Sequence, residues 1–210
     1  MQQPEGLYTT LALLQKGNAC EERYNYLVAK LGGIRKFGKH TPLPFATILE
    51  HNGIKDIMWL LSNRSAIPQE QHPTVNSISR LFAVDSAKRV LRLYKPNKAL
   101  RQALTTARRY ALGKASEKEL TKALYVAEKR RDAHIYSSDE KVYWTLQTIA
   151  NACREGDIDT ERIVWDSDNA IEGWYPNSNL QAKALRAENL WRSRWLTKYI
   201  TNVQNVFTKA

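Results

Sequence analysis

The chain has 210 residues, enough for one substantial core or two small ones, and 43% hydrophobic residues with six Trp, which excludes a disordered chain. Its two cysteines, Cys20 and Cys153, exclude a disulfide framework; they could form one bridge, but buried thiols in a reducing cytosol are the more ordinary reading. The net charge of +11 is local: residues 1–63 carry seven Lys/Arg against five Asp/Glu, residues 64–114 eleven against two, and residues 115–210 fourteen of each.

A clustered surplus of this kind marks a surface that meets something negative, where an even one would speak only to solubility. The amino terminus lacks a basic start followed by a long apolar run, so no signal peptide is expected. No window approaches the roughly 20 apolar residues that cross a bilayer. The expected location is the cytoplasm, with no membrane partner.

In chain order, Glu5 to Lys16 reads as a short helix with Leu7, Leu11 and Leu14 on one face, stopped at Gly17-Asn18. Ala19 to Leu31 is a second, with Tyr24, Leu27, Val28 and Leu31 inward. Thr41 suits an N-cap with Pro42 at the first helical position, opening a helix that ends at Asn52-Gly53. Ile54 to Leu61 is almost wholly apolar and is expected to be buried, with Trp59 its largest contributor. Residues 62–74, rich in Pro, Gln, Ser and His, read as a linker.

The stretch from Ile78 to Gly113 organises the rest. It reads as two helices broken at Lys95-Pro96, apolar on one side and cationic on the other. Ile78, Leu81, Phe82, Val90, Leu91 and Tyr94 share one side of the first helix. Asn97 caps the second, whose inner face is Leu100, Leu104, Ala107, Ala111 and Leu112. Ser116 and Glu119 form a capping-box pattern at the head of a helix running to about Ile135, with Lys129–Arg131 near its end. Ser137-Ser138-Asp139 is a break before a helix from Val142 to Cys153. Residues 155–174 turn acidic, and 175–179 break the chain ahead of a last helix from Leu180 to Phe207. Strand signals are essentially missing. The fold class is therefore all-α: an irregular bundle or short solenoid of antiparallel hairpins, roughly eight to ten helices in one domain over residues 1–210. If it subdivides, the pieces are 1–63, 74–136 and 139–210.

Chemical sites find little support. His40, His51, His72 and His134 are scattered without metal-ligand spacing, so neither a metal nor a cofactor is expected. Asp157, Asp159, Asp166 and Asp168 invite a calcium loop, but its Gly and Glu positions hold Arg162 and Asp168, so a solvated acidic helix start fits better. No nucleophile elbow or phosphate loop is present, and Cys20 and Cys153 sit among apolar neighbours. Asp85 lies on the edge of the buried stripe, where an ion pair with Arg108 or Arg109 explains it better than catalysis.

The sharpest candidate is a partner-binding cluster: Lys88, Arg89, Arg92, Lys95, Lys98, Arg101, Arg108 and Arg109. Its bland alternative is a solvated face onto which the acidic segment 155–172 docks. As a binding surface it suits an acidic protein partner, with arginines as anchors, or a nucleic-acid backbone met without sequence reading.

Several stretches carry a resemblance: NACEERYNYLVAKLGG (18–33), HTPLPFATILEHNGIKDIMWLL (40–61), LFAVDSAKRVLRLY (81–94), ALRQALTTARRYALGKASEKEL (99–120) and AENLWRSRWLTKYI (187–200). In order and spacing the chain resembles a family of helical proteins encoded by phages and prophages, often labelled immunity-type proteins. It departs from that family over residues 137–178, where an Ala/Trp-rich helical run is replaced by acidic, Pro- and Asn-broken sequence. The resemblance implies an all-helical, phage-borne accessory protein and supplies no active site. The expectation is a non-enzymatic binding protein that inhibits a host defence component, an anti-CRISPR candidate, through its basic helices. Sequence-nonspecific nucleic-acid binding is the alternative. Virion scaffolding, with an oligomer contact at Trp191 and Trp195, is a further one.

Overall fold

The computed structural model describes residues 6–94, 97–136, 139–201 and 203. Among them are eleven α-helices, two short 3-10 turns and one pair of two-residue strands, so the protein is all-α. No helix among the described residues is long and apolar enough to cross a membrane. The chain gathers into two compact units, Met1–Val75 with Arg192–Ala210, and Asn76–Trp191.

The first unit opens with strand β1 (Tyr8–Thr9), which pairs antiparallel with β2 (Leu43–Pro44). The helix expected from Glu5 is therefore shorter: α1 covers Leu11–Lys16, capped by the Thr10 hydroxyl, which accepts from Leu13 N. Two residues are too few to show an alternating pattern, and Pro44 has no amide to advertise a strand. Gln71 completes β1, its amide oxygen accepting from Tyr8 N (3.0 Å) and its amide nitrogen donating to Tyr8 O (3.1 Å).

Helix α2 (Glu21–Lys30) carries Tyr24 and Leu27 inward. Residues 34–37 form a one-turn helix, α3 (Ile34–Phe37). Thr41 does not cap a helix; its hydroxyl donates to Phe37 O, and α4 (Phe45–Asn52) starts after β2. Gly53, at φ +81, both ends α4 and opens α5 (Ile54–Ser62), a left-handed conformation that favours glycine. In α5 the buried residues are Ile57, Met58, Leu60 and Leu61, whereas Trp59 is only half-buried. Cys20 is exposed at the N-cap of α2, against the expectation of a core thiol. A helix start, with Glu21 and Glu22 in the turn that follows, keeps that position at the surface.

The linker expected over 62–74 is shorter than its composition implies. The 3-10 turns Arg64–Ala66 and Gln69–Gln71 lead directly into α6 (His72–Leu91). Pro73 is accommodated because the first turn of a helix has no use for its missing amide hydrogen.

In the second unit, α6 is followed by α7 (Lys98–Ala111), α8 (Glu117–Asp132), α9 (Glu140–Cys153) and α10 (Thr160–Trp174). The last helix, α11 (Ser178–Thr201), begins two residues before expected. Helices α7 to α10 pack on one another in sequence order, as short connections dictate. Asn97 caps α7 by accepting from Leu100 N (3.1 Å), and the box at Ser116–Glu119 opens α8. The break expected at Ser137-Ser138 and the one at Lys95-Pro96 lie outside the described residues.

Two helices are central. In α9 every residue from Thr145 to Cys153 is buried. In α6 the run from Ile78 to Val84 is buried all round, Ser79 and Arg80 included, so an apolar side opposite a cationic one describes only its C-terminal end. Gly173 marks the closest approach of α10 to α9, where a Cβ would stand 2.7 Å from the Lys141 Cβ. Arg80 needs no counter-ion from the sequence stripe. It donates to Ala152 O (3.2 Å), Arg154 O (2.6 Å) and Gly156 O (2.9 Å), capping the carbonyl end of α9, and stacks against Tyr110.

Candidate binding surface

All the candidate cations that the structure describes lie in the second unit, at the end of α6, in the turn just after it and along α7. Four of them are tied to the protein's own carboxylates. Arg108 donates to both oxygens of Asp85 (3.0 and 3.3 Å), and Lys88 stands 3.8 Å from the same carboxylate. This is the ion pair expected for Asp85. Arg89 donates to Glu188 on α11 (2.6 Å) and lies over the Trp191 ring, 4.6 Å from its centroid. That ring also stacks with Phe82, centroids 6.2 Å apart. Arg109 reaches Glu119 (3.3 Å) and the Lys114 carbonyl (2.7 Å), fastening the turn between α7 and α8.

The acidic segment 155–172 supplies none of these partners. Two of its carboxylates serve α10 itself: Asp159 caps it by accepting from Arg162 N (2.9 Å), and Asp166 pairs with Arg162 (2.9 Å); Glu155 instead accepts from the Thr121 hydroxyl on α8. Asp166 also accepts from Asn151 (2.6 Å), and burial raises its pKa, opposed by Arg162. A wholly buried aspartate was not legible in the sequence, where it stood as one of a run of solvated acids.

Three candidates remain open. Arg92, Lys98 and Arg101 are exposed, and no carboxylate among the described residues pairs with them. Lys95 lies outside the described residues. Lys98 and Arg101 are one turn apart on the outer face of α7, continued by Gln102, Thr105 and Arg109. No acidic residue occurs in α7. Lys88 feels the crowding: partial burial lowers its basicity, Asp85 raises it, and Arg108 and Arg92 lower it further.

Helix α8 extends the positive surface in a way that sequence reasoning missed. Lys118, Lys122, Tyr125 and Lys129 fall four, three and four apart and are all exposed, with Tyr125 at 65%. The signal was available as the stripe opposite Leu120, Ala123 and Ala127.

Beside Arg92 lies a cleft of about 210 Å³, lined by Arg89, Leu93, Ile171, Tyr175, Ala184, Ala187 and Glu188 as well. Its floor continues into the cluster of Val90, Ala170 and Ile171, against which Leu93, Tyr175 and Ala184 pack. Glu188 is nearly inaccessible, its side chain 4% exposed. Arg89 is thus held as part of the wall, and Arg92 is the cation available at the rim.

The aromatic oligomer contact is not laid out on the surface. Trp195 is 7% exposed and stacked on Tyr199 at 3.8 Å, and Trp191 is half-buried beneath Arg89. No family model, curated protein or solved structure matches the chain.

Proposed function

We propose that this chain works by binding and not by catalysis, and that it presents the outer faces of α7 and α8 to an acidic surface of a partner protein. The observation that carries the reading is the acid-free outer face of α7, with Lys98 and Arg101 exposed there and Arg92 exposed just after α6, while neighbouring cations are spent on internal pairs. Desolvated carboxylates on a partner would find arginine forks and a lysine without first breaking a native ion pair. Following the resemblance of its sequence to phage-borne accessory proteins, the partner proposed is a bacterial host protein, a defence component that the chain occupies and inhibits.

The test is affinity purification from infected cells with half of each sample nuclease-treated. Lys98→Glu with Arg101→Glu abolishes retention of the partner at unchanged helicity, while Lys16→Glu, an exposed cation in the first unit, leaves it intact. Retention that survives the double change refutes the reading.

A second reading, binding of a nucleic-acid strand, is favoured by one observation: Tyr125 stands exposed among Lys118, Lys122 and Lys129, a stacking face flanked by phosphate-neutralising amines. It requires that affinity for a short oligothymidylate fall linearly in log salt and drop on Tyr125→Ala. No retention of that strand at low salt ends it.

A further inference from the structure

We infer that the cleft between the end of α6, the end of α10 and the second turn of α11 receives a bulky apolar side chain that the acidic partner segment carries beside its carboxylates. The inference rests on the acidic-partner reading and adds the residue that anchors it.

The cleft has two chemistries. Leu93, Ile171 and Ala184 make an apolar floor, Ala187 lies at its open edge, and Tyr175 is a further wall residue. At the rim, Arg92 is exposed and carries no partner among the described residues. The remaining charged groups in the wall cancel, since Arg89 is bonded to a Glu188 carboxylate almost without access to water. The cleft therefore offers apolar contact below and a single net positive charge at its mouth. A purely acidic segment would use only the rim and leave the floor wet. A purely apolar one would leave Arg92 unanswered.

Size narrows the occupant. At about 210 Å³ the cleft is below the usual range of about 300–1,000 Å³ for sites that enclose a drug-sized molecule or cofactor, and it fits one large side chain. Apolar anchors set in a pocket and ringed by charge are how partner surfaces concentrate their affinity. Arg92 stands six residues before Lys98, so the cation at the rim and the exposed pair on α7 follow one another along the chain. Charge complementarity thus selects an Asp- or Glu-flanked Phe, Trp or Leu.

The experiment uses the full chain and two fluorescein-labelled, terminally blocked peptides of equal charge: one an Asp/Glu-rich segment with a central Phe, the other with Ser in its place. Anisotropy at low salt is expected to show the Phe peptide binding at least tenfold tighter. Ala187→Trp, which fills the cleft from an exposed position on α11, is expected to erase that preference and leave the Ser peptide unchanged. Benzoylphenylalanine at the Phe position is expected to crosslink to Leu93, Ile171 or Ala184 in the unaltered chain, a readout independent of any variant. Equal binding of the two peptides overturns the anchor and leaves the charge reading standing. A preference that survives Ala187→Trp, or crosslinks elsewhere, places the apolar contact outside the cleft and overturns it too. Binding of neither peptide fails both readings. Self-association that Ala187→Trp removes assigns the cleft to a second copy of the chain and overturns the inference.

Discussion

Arg89 and Arg92 are one helical turn apart and identical in chemistry, yet only Arg92 is available to a partner. Arg89 is held by Glu188 and by the face of Trp191, and both contacts come from a helix almost a hundred residues away. Replacing Arg89 would disturb stability first, since a nearly buried carboxylate loses a 2.6 Å charge-assisted bond. Cysteine shows the same dependence on place. Cys20 is exposed, whereas burial pushes the Cys153 thiol up to about 12, with Arg80 pulling the other way. A disulfide-exchange reagent at pH 8 should therefore consume Cys20 quickly and Cys153 only after denaturation, measured as thiol equivalents against time. Because the folded pKa of Cys153 lies above the ordinary value of 9, its contribution is complete below pH 9. It is lost as pH rises towards 12, so stability to urea should fall across that window and fall less in Cys153→Ala. A flat profile there would remove the buried thiol from the account.

At the scale of elements, α6 and α7 share a cationic composition but not an environment. In α7 the amphipathic reading holds: Leu100, Leu104, Ala107 and Ala111 are buried and Lys98, Arg101 and Arg109 are exposed, while Arg108 turns to Asp85 on α6. In α6 it fails, because Ser79, Arg80 and Ser86 are buried along with the apolar residues. A helix surrounded by others has no outer face for polarity to mark, so periodicity loses its meaning there. Caps fared better, being local. Asn97 and the Ser116–Glu119 box stand where the residue types demand them. Asn97→Ala should cost about 1 kcal/mol, read as a lower urea midpoint at constant slope. Since Lys98 and Arg101 occupy the turn it caps, fraying there also disperses the exposed pair. A midpoint unchanged by the substitution would mean that packing alone holds the turn.

At the scale of the whole molecule, the surplus charge is real but partly spent. Asp85, Glu119 and Glu188 neutralise four of the eight chosen cations, and the open remainder is continued on α8 by lysines that composition had assigned to a balanced region. The tryptophans of α11 tell a related story. Trp195 is packed against Tyr199 inside the first unit, so Trp195→Ala should cost about 3 kcal/mol in chemical denaturation while leaving the sedimentation profile unchanged. Loss of an oligomer with stability intact would restore the assembly role. Read alone, the amino-acid order determined the all-α class, most of the helices, the caps at Asn97 and Ser116 and the segment richest in positive charge. Those follow from backbone stereochemistry and from periodicity within one or two turns. Which cations stay unpaired and where a cleft opens were decided when α11 and α10 came to lie beside α6, and which aspartate is buried when α10 packed on α9. Those outcomes depend on contacts between residues tens of positions apart, and no local pattern encodes such contacts.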